Sequence, residues 1–122
     1  MTRYFNQYAI NWDHQRFIHN WTSWQSYIIR HDNQAVGIVC LSFFPEHVYI
    51  NDLQIKSKFQ GQGIGSWAMS QVEALALERA VNKIRLRVYH ANPAKKWYLD
   101  LGFSVAVTEK QTSGMEKLLT NG

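Results

Sequence analysis

Apolar and polar positions along the chain follow two rhythms, and the switches between them mark out its elements. Between Asn11 and Trp24, Phe17 matches Trp21 and Ile18 matches Thr22 at helical spacing, which predicts a short helix. Trp24 to Arg30 and Ala35 to Phe43 are rich in β-branched and aromatic residues. They flank His31-Asp32-Asn33-Gln34, whose Asp and Asn suit a tight turn, so a β-hairpin is predicted, with Pro45 ending its second strand. Val48 to Ile55 reads as another strand. From Ile64 to Val81 the apolar positions Ile64, Ala68, Val72 and Leu75 recur at near-helical intervals and predict the longest helix. Lys83 to Tyr89 then alternates Ile84, Leu86 and Val88 with Arg85, Arg87 and Tyr89, a strand of period two. Asn92 caps a second predicted helix with Pro93 at its first position, and Gly102 closes it after Leu101. Phe103, Val105 and Val107 alternate again, and a last strand around Met115 to Leu119 is expected beside them. The order predicts a mixed α/β layered fold.

Composition narrows the class. A chain of 122 residues can bury one core, so residues 1–122 are expected to form a single domain. Hydrophobic residues at 46% against 18% charged supply enough apolar area to offset the entropy of ordering, which predicts a folded chain. No apolar run approaches the ~20 residues that span a bilayer, and the first residues carry no signal-peptide core. A cytoplasmic protein without a membrane partner is the expectation. Cys40, the single cysteine, sits in an apolar run and reads as a core residue rather than a nucleophile.

The formal charge of +4, with Lys83, Arg85, Arg87, Lys95 and Lys96 in one stretch, invites a nucleic-acid reading. Clustered positive charge suits a polyphosphate-bearing cofactor equally well, and no nucleic-acid motif accompanies it, so no nucleic-acid partner is expected. The five histidines are scattered without paired cysteines or a His-Glu-x-x-His spacing, and no metal is expected.

The segment after Ile55 brings Gly61, Gly63 and Gly65 to the first turn of a helix. Backbone amides there have no partner inside the helix, glycines allow close approach, and the helix dipole adds partial positive charge. An anion such as a phosphate fits this turn. A Walker A loop is excluded because no lysine occurs between Gly61 and Trp67. A dinucleotide fingerprint fits poorly because Ser66 stands where its third glycine belongs. The bland alternative is a tight strand-to-helix connection and nothing more.

Ile55-Lys56-Ser57-Lys58-Phe59-Gln60-Gly61-Gln62-Gly63-Ile64-Gly65, with the core Gln60-x-x-Gly63-x-Gly65, looks like motif A of the GNAT superfamily of N-acetyltransferases, and the resemblance runs over roughly residues 26 to 119. Leu86 through Phe103 resembles motif B, including Asn92, the helix tyrosine Tyr98 and the Leu101-Gly102-Phe103 end. The resemblance implies a mixed, mostly antiparallel sheet with helices on both faces, its strands before motif A and motif B splayed around acetyl-coenzyme A. It implies backbone hydrogen bonds from Ile55 to the pantetheine arm and thioester. Amides of Gln60, Gly61, Gln62, Gly63, Ile64, Gly65 and Ser66 would meet the pyrophosphate, and Asn92 would contact pantetheine while capping its helix. Tyr98 is the implied acid for the departing thiolate. For the base that deprotonates the amine, Asp52 is the first candidate, with Glu46 and His90 behind it.

Only about twenty-three residues precede the hairpin, where a usual family member carries a strand and two helices. The first strand and first helix are therefore expected to be missing or replaced. That should expose aromatics such as Phe5, Trp12, Trp21 and Trp24 beside an open sheet edge, and a homodimer is expected to cover them. Two activities compete on these residues: acetyl transfer to a primary amine of a small molecule or peptide, and an inactive acyl-coenzyme A binding module.

Overall fold

The structure, a computed structural model, describes residues 10–15 by their backbone and residues 25–119 with their side chains. β1 (Ile10–Gln15), β2 (Gln25–His31), β3 (Gln34–Phe43) and β4 (Val48–Ile55) pair in succession as antiparallel neighbours. The hairpin predicted between β2 and β3 is present. Asp32 and Asn33 both take positive φ, 55° and 65°, the conformation a two-residue hairpin turn demands and these side chains tolerate.

The segment expected to begin a helix at Asn11 is instead a strand through Gln15; residues 16–24 lie outside the described residues. Ile10, Trp12 and His14 alternate with Asn11, Asp13 and Gln15, so this stretch carries period two, and the helical matches from Phe17 to Thr22 fall outside the described residues. Its ladder with β2 satisfies backbone groups that β2 would otherwise leave open, and that tertiary gain decides the conformation. Of the aromatics expected at an exposed face, Phe5, Trp21 and Trp24 lie outside the described residues and Trp12 is described by backbone alone.

After β4 come a short 3-10 turn (Ser57–Phe59), α1 (Ile64–Glu78), β5 (Lys83–Tyr89), α2 (Ala94–Asp100), β6 (Ser104–Thr108) and β7 (Thr112–Leu118). The seven described strands form one sheet in the order β1-β2-β3-β4-β5-β7-β6. Only the β4–β5 pair is parallel, so the sheet is mostly antiparallel.

Both described helices pack on one face of this sheet. Met69, Val72 and Ala76 of α1 and Tyr98 of α2 share a buried cluster with Val48, Ile50, Ile84, Leu86 and Val88. The other face of β5 presents Arg85, Arg87 and Tyr89 to solvent, and a helix for that second face is not among the described residues. α1 stops short of the predicted Val81. Ala80 adopts φ 61°, its amide donates to the Leu77 carbonyl, and the Val81 amide donates back to Ala76 at 2.9 Å. This is a Schellman closure with alanine where glycine is usual, driven by burial of Val81. α2 closes in the same way at Gly102, φ 103°, and the following Phe103 folds against Tyr98 at a ring-centroid distance of 5.6 Å.

The alternation in β6 did not predict its burial. Every residue of the strand is exposed, Val105 and Val107 included, because β6 is the terminal strand and Ala106 bulges between the paired Val105 and Val107.

Candidate active site

Two features of the sheet build the site. The first is a parting of strands. β4 and β5 pair only at Val48↔Ile84 and Tyr49↔Arg85, after which their C-terminal halves run without a ladder between them. The second is a bulge. Across β3, Cys40 faces Asp52 while Leu41 faces Ile50, so Asn51 is an extra residue in β4. Before it, Val48 and Ile50 point to the helical face; after it, Leu53 and Ile55 do. Asp52 thereby turns to the second face of the sheet, level with Cys40 and on the face that Tyr49 shares.

The parting opens a cleft of about 550 Å³ on the helical face. Leu53, Ile55, Phe59, Gln60, Gly61, Gly63, Gly65 and Ser66 line one side, and Asn92, Pro93, Ala94, Trp97 and Tyr98 the other. The Lys56 amide donates to the Val36 carbonyl of β3 at 2.8 Å. By strand alternation the Ile55 amide and carbonyl therefore turn away from β3 and toward the gap. Gln60 takes up that carbonyl through Nε2 at 2.9 Å. The Gln60 side chain thus ties the turn to the strand end, and the Ile55 amide is left as the donor facing the cleft.

At the start of α1 no side chain caps the helix and no acidic residue occupies the first turn. The first intrahelical bond runs from the Trp67 amide to the Gly63 carbonyl at 3.0 Å, which leaves the amides of Ile64, Gly65 and Ser66 without an acceptor in the helix. Gly61 and Gly63 hold φ 79° and 84°, and a Cβ on Gly61 would meet nothing within 4 Å. These residues form a positively polarised, open concavity suited to a phosphate group. Gly65 has another reason to be glycine: a Cβ there would come within 3.0 Å of the Trp97 indole, so the close approach it permits is between α1 and α2.

The predicted cradle residues divide accordingly. Gly61, Gly63, Gly65, Ser66, Gln60 and Ile55 border the cleft. Ile64 offers only its amide, since its side chain is buried in the core with Trp67 and Ala68, and Gln62 points out of the cleft, its Nε2 reaching Lys58 O at 3.4 Å. Asn92 caps α2, its Oδ1 accepting the Ala94 amide at 2.8 Å, and also lines the cleft. Among residues not predicted, Trp97 and Phe59 form walls. Trp97 was legible in principle, because Ala94, Trp97, Tyr98 and Leu101 make the inward stripe of α2.

Tyr98 is 8% exposed, and its hydroxyl has no hydrogen-bond partner among the described residues. Burial, and secondarily the Asp52 charge, push its pKa up to about 12. The phenol therefore stays protonated and able to donate. Asp52 accepts two contacts from Gln54 Nε2, at 2.9 and 3.2 Å, and its charge also helps burial raise the Cys40 thiol. Asp52 and Tyr98 thus approach the parted strands from opposite faces of the sheet. Glu46 and His90 are exposed and line neither side of the cleft.

The basic stretch does not converge on the cleft. Lys95 and Lys96 belong to α2, whereas Arg85 and Arg87 lie on the second face, bonded to Glu116 at 3.0 Å and Glu109 at 2.9 Å. Among the described residues, no group of three potential metal ligands occurs and no helix is long and apolar enough to cross a membrane.

The model of the acetyltransferase (GNAT) family matches residues 1–103. Thialysine N-epsilon-acetyltransferase of Bos taurus is 35% identical over 46 residues, covering 38% of this chain and 27% of that protein. The fold is similar to that of paia N-acetyltransferase from Thermoplasma acidophilum in complex with coenzyme A, with a TM-score of 0.72 at 21% identity. That match covers 76% of this chain and 59% of the other. A GNAT family acetyltransferase from Elizabethkingia anophelis with acetyl-CoA bound gives a TM-score of 0.71 at 18% identity, covering 98% of this chain and 84% of the other.

Proposed function

The chain belongs to the acetyltransferase (GNAT) family, and from that membership we propose that it transfers the acetyl group of acetyl-coenzyme A to a primary amine of a small molecule or peptide by direct attack. The observation that carries the reading is the parting of β4 from β5 beside the uncapped start of α1, with the unpartnered Tyr98 hydroxyl on the wall between them.

The residues fit the co-substrate. Amides of Gly63, Ile64, Gly65 and Ser66 would take the pyrophosphate, the Ile55 amide and the Asn92 side chain the pantetheine arm, and the apolar walls of Leu53, Phe59 and Trp97 would exclude water. Bound there, acetyl-coenzyme A would supply the activated thioester. The amine nitrogen attacks the thioester carbon, the C–N bond forms, the C–S bond breaks, and nitrogen loses one proton while sulfur gains one. Amide donors facing the gap suit the oxyanion that develops in between. Tyr98 donates a hydrogen bond to the departing thiolate, and Asp52, across the gap, receives the amine proton directly or through water. A homodimer covering the β1 edge of the described sheet completes the proposal, and light scattering showing a monomer at working concentration would remove that part.

The test is thiol release from acetyl-coenzyme A over a panel of polyamines, aminoglycosides, amino acids and peptides, with titration calorimetry of the co-substrate alongside. Amine-dependent release upholds the reading. Tight binding with no release for any amine would assign the chain to the inactive acyl-coenzyme A binding class instead.

A further inference from the structure

The second face of the sheet carries a cavity that the donor half of the reaction does not use. It measures about 320 Å³ and includes His47, Tyr49, Arg85, Arg87 and Gly114 in its lining. Tyr49↔Arg85 is the last rung before β4 and β5 part, so the cavity lies at the foot of the gap. Asp52 shares this face because of the Asn51 bulge, and Arg87 shares it as the next outward residue of β5. From Tyr49 to Asp52 the strand advances at most about 10 Å. The cavity and the candidate base therefore lie on one surface within reach of one small molecule.

The charge of this cavity is incompletely spent. Arg85 is held through Nε alone, by Glu116 Oε1 at 3.0 Å, so its two terminal nitrogens have no partner among the described residues. Arg87 uses Nη1 for both Glu109 and Thr112 and keeps Nη2 free among them. Both guanidinium side chains are near half exposure, 45% and 42%. His47, stacked on Phe44, is shifted toward its neutral form by burial first and then by the positive field of Arg85. A planar two-oxygen anion matches a guanidinium fork. A dianion would be opposed by Glu109 and Glu116 close by.

Resting on the acetyltransferase reading, we propose that this cavity recognises the acceptor, and that the acceptor is a primary amine carrying a carboxylate remote from the reacting nitrogen. Arg85 and Arg87 hold the carboxylate while the amine lies along the gap toward Asp52 and Tyr98.

The test compares 6-aminohexanoate with 6-aminohexanamide, which differ only in the charge of the remote group. In thiol release, kcat/KM for the acid should exceed that for the amide by about tenfold or more. Arg85→Gln should collapse that ratio toward one. Glu116→Gln, which removes a competing carboxylate, should raise it. The opposite signs separate recognition from general loss of structure. A ratio near one in the parent protein, or a ratio unmoved by Arg85→Gln, overturns the proposal. Titration calorimetry of 6-aminohexanoate into the protein saturated with coenzyme A separates the two readings. If no amine turns over, the acetyltransferase reading falls. Acid-selective binding lost in Arg85→Gln still upholds the anion site, and absence of that selectivity overturns it.

Discussion

Replacing Tyr98 with phenylalanine isolates one hydroxyl in the proposed chemistry. The ring sits between Trp97 and Phe103, with centroids 5.0 and 5.6 Å away, and both contacts survive the substitution. The hydroxyl bonds to nothing else among the described residues, so its removal leaves no orphaned partner and should change stability by less than about 1 kcal/mol. Its catalytic value is larger. A proton leaving a phenol raised to about 12 for a thiolate whose acid lies near ~8.5 climbs roughly 5 kcal/mol. Complete transfer is therefore costly, and the role proposed for Tyr98 is chiefly that of a hydrogen-bond donor to charge developing on sulfur. Such a bond contributes about 1.5–3 kcal/mol, which predicts a fall in kcat of about 10- to 150-fold. The assay is thiol release at saturating acetyl-coenzyme A across pH, with thermal melting on the same samples. The KM for acetyl-coenzyme A should change little. The parent's rate should rise with pH as the amine loses its proton, with no fall from tyrosine ionisation below about pH 11. A kcat within about twofold of the parent would refute the donor role, because it lies below the smallest effect such a bond should have. A loss matched by a drop in Tm would refute the separation of packing from chemistry.

Three further outcomes follow from the same coordinates. Asp52→Asn removes the charge that helps raise Tyr98, so an ultraviolet difference titration should find the tyrosine pKa lower than the parent's about 12, with the burial effect still keeping it above normal. The same variant should lower kcat/KM in thiol release; a value equal to the parent's would retire Asp52 from the role of base. Gly65→Ala presses a methyl group against the Trp97 indole at 3.0 Å and should raise the KM for acetyl-coenzyme A several-fold by shifting the α2 wall, visible as a changed tryptophan fluorescence. Ala80→Gly relieves a left-handed residue at the end of α1 and should stabilise the fold by about 0.5–1 kcal/mol, or roughly 2–6 °C in Tm, with no effect on turnover.

Local chemistry made much of this protein readable. The β2–β3 turn, the end of β3, and the start and close of α2 each depend on residues with a strong conformational preference: Asp32 and Asn33, Pro45, Asn92 and Pro93, Gly102. The end of α1 was not readable, because Ala80 takes the left-handed position without the glycine that would announce it, and only the burial of Val81 makes that closure worthwhile. Residues 10–15 carry a period of two, which their ladder with β2 uses, whereas the helical spacing read for this stretch rests on residues 17–22, outside the described residues. In β6 the alternation was present but empty, since this bulged terminal strand of the described sheet leaves Val105 and Val107 exposed.

The candidate site divides along the same line. The order of residues in the chain was enough to identify a glycine turn at a helix start and an Asn92/Tyr98 pair downstream, because dihedral freedom, capping and helix spacing act over a few residues. Which surface each residue serves depends on contacts between distant segments. The Asn51 bulge sends Asp52 to the face opposite the cleft, the two-rung ladder opens the gap, and the sheet separates Arg85 and Arg87 from the cradle that positive charge seemed to favour. Strand register, which no local preference encodes, settles those three outcomes.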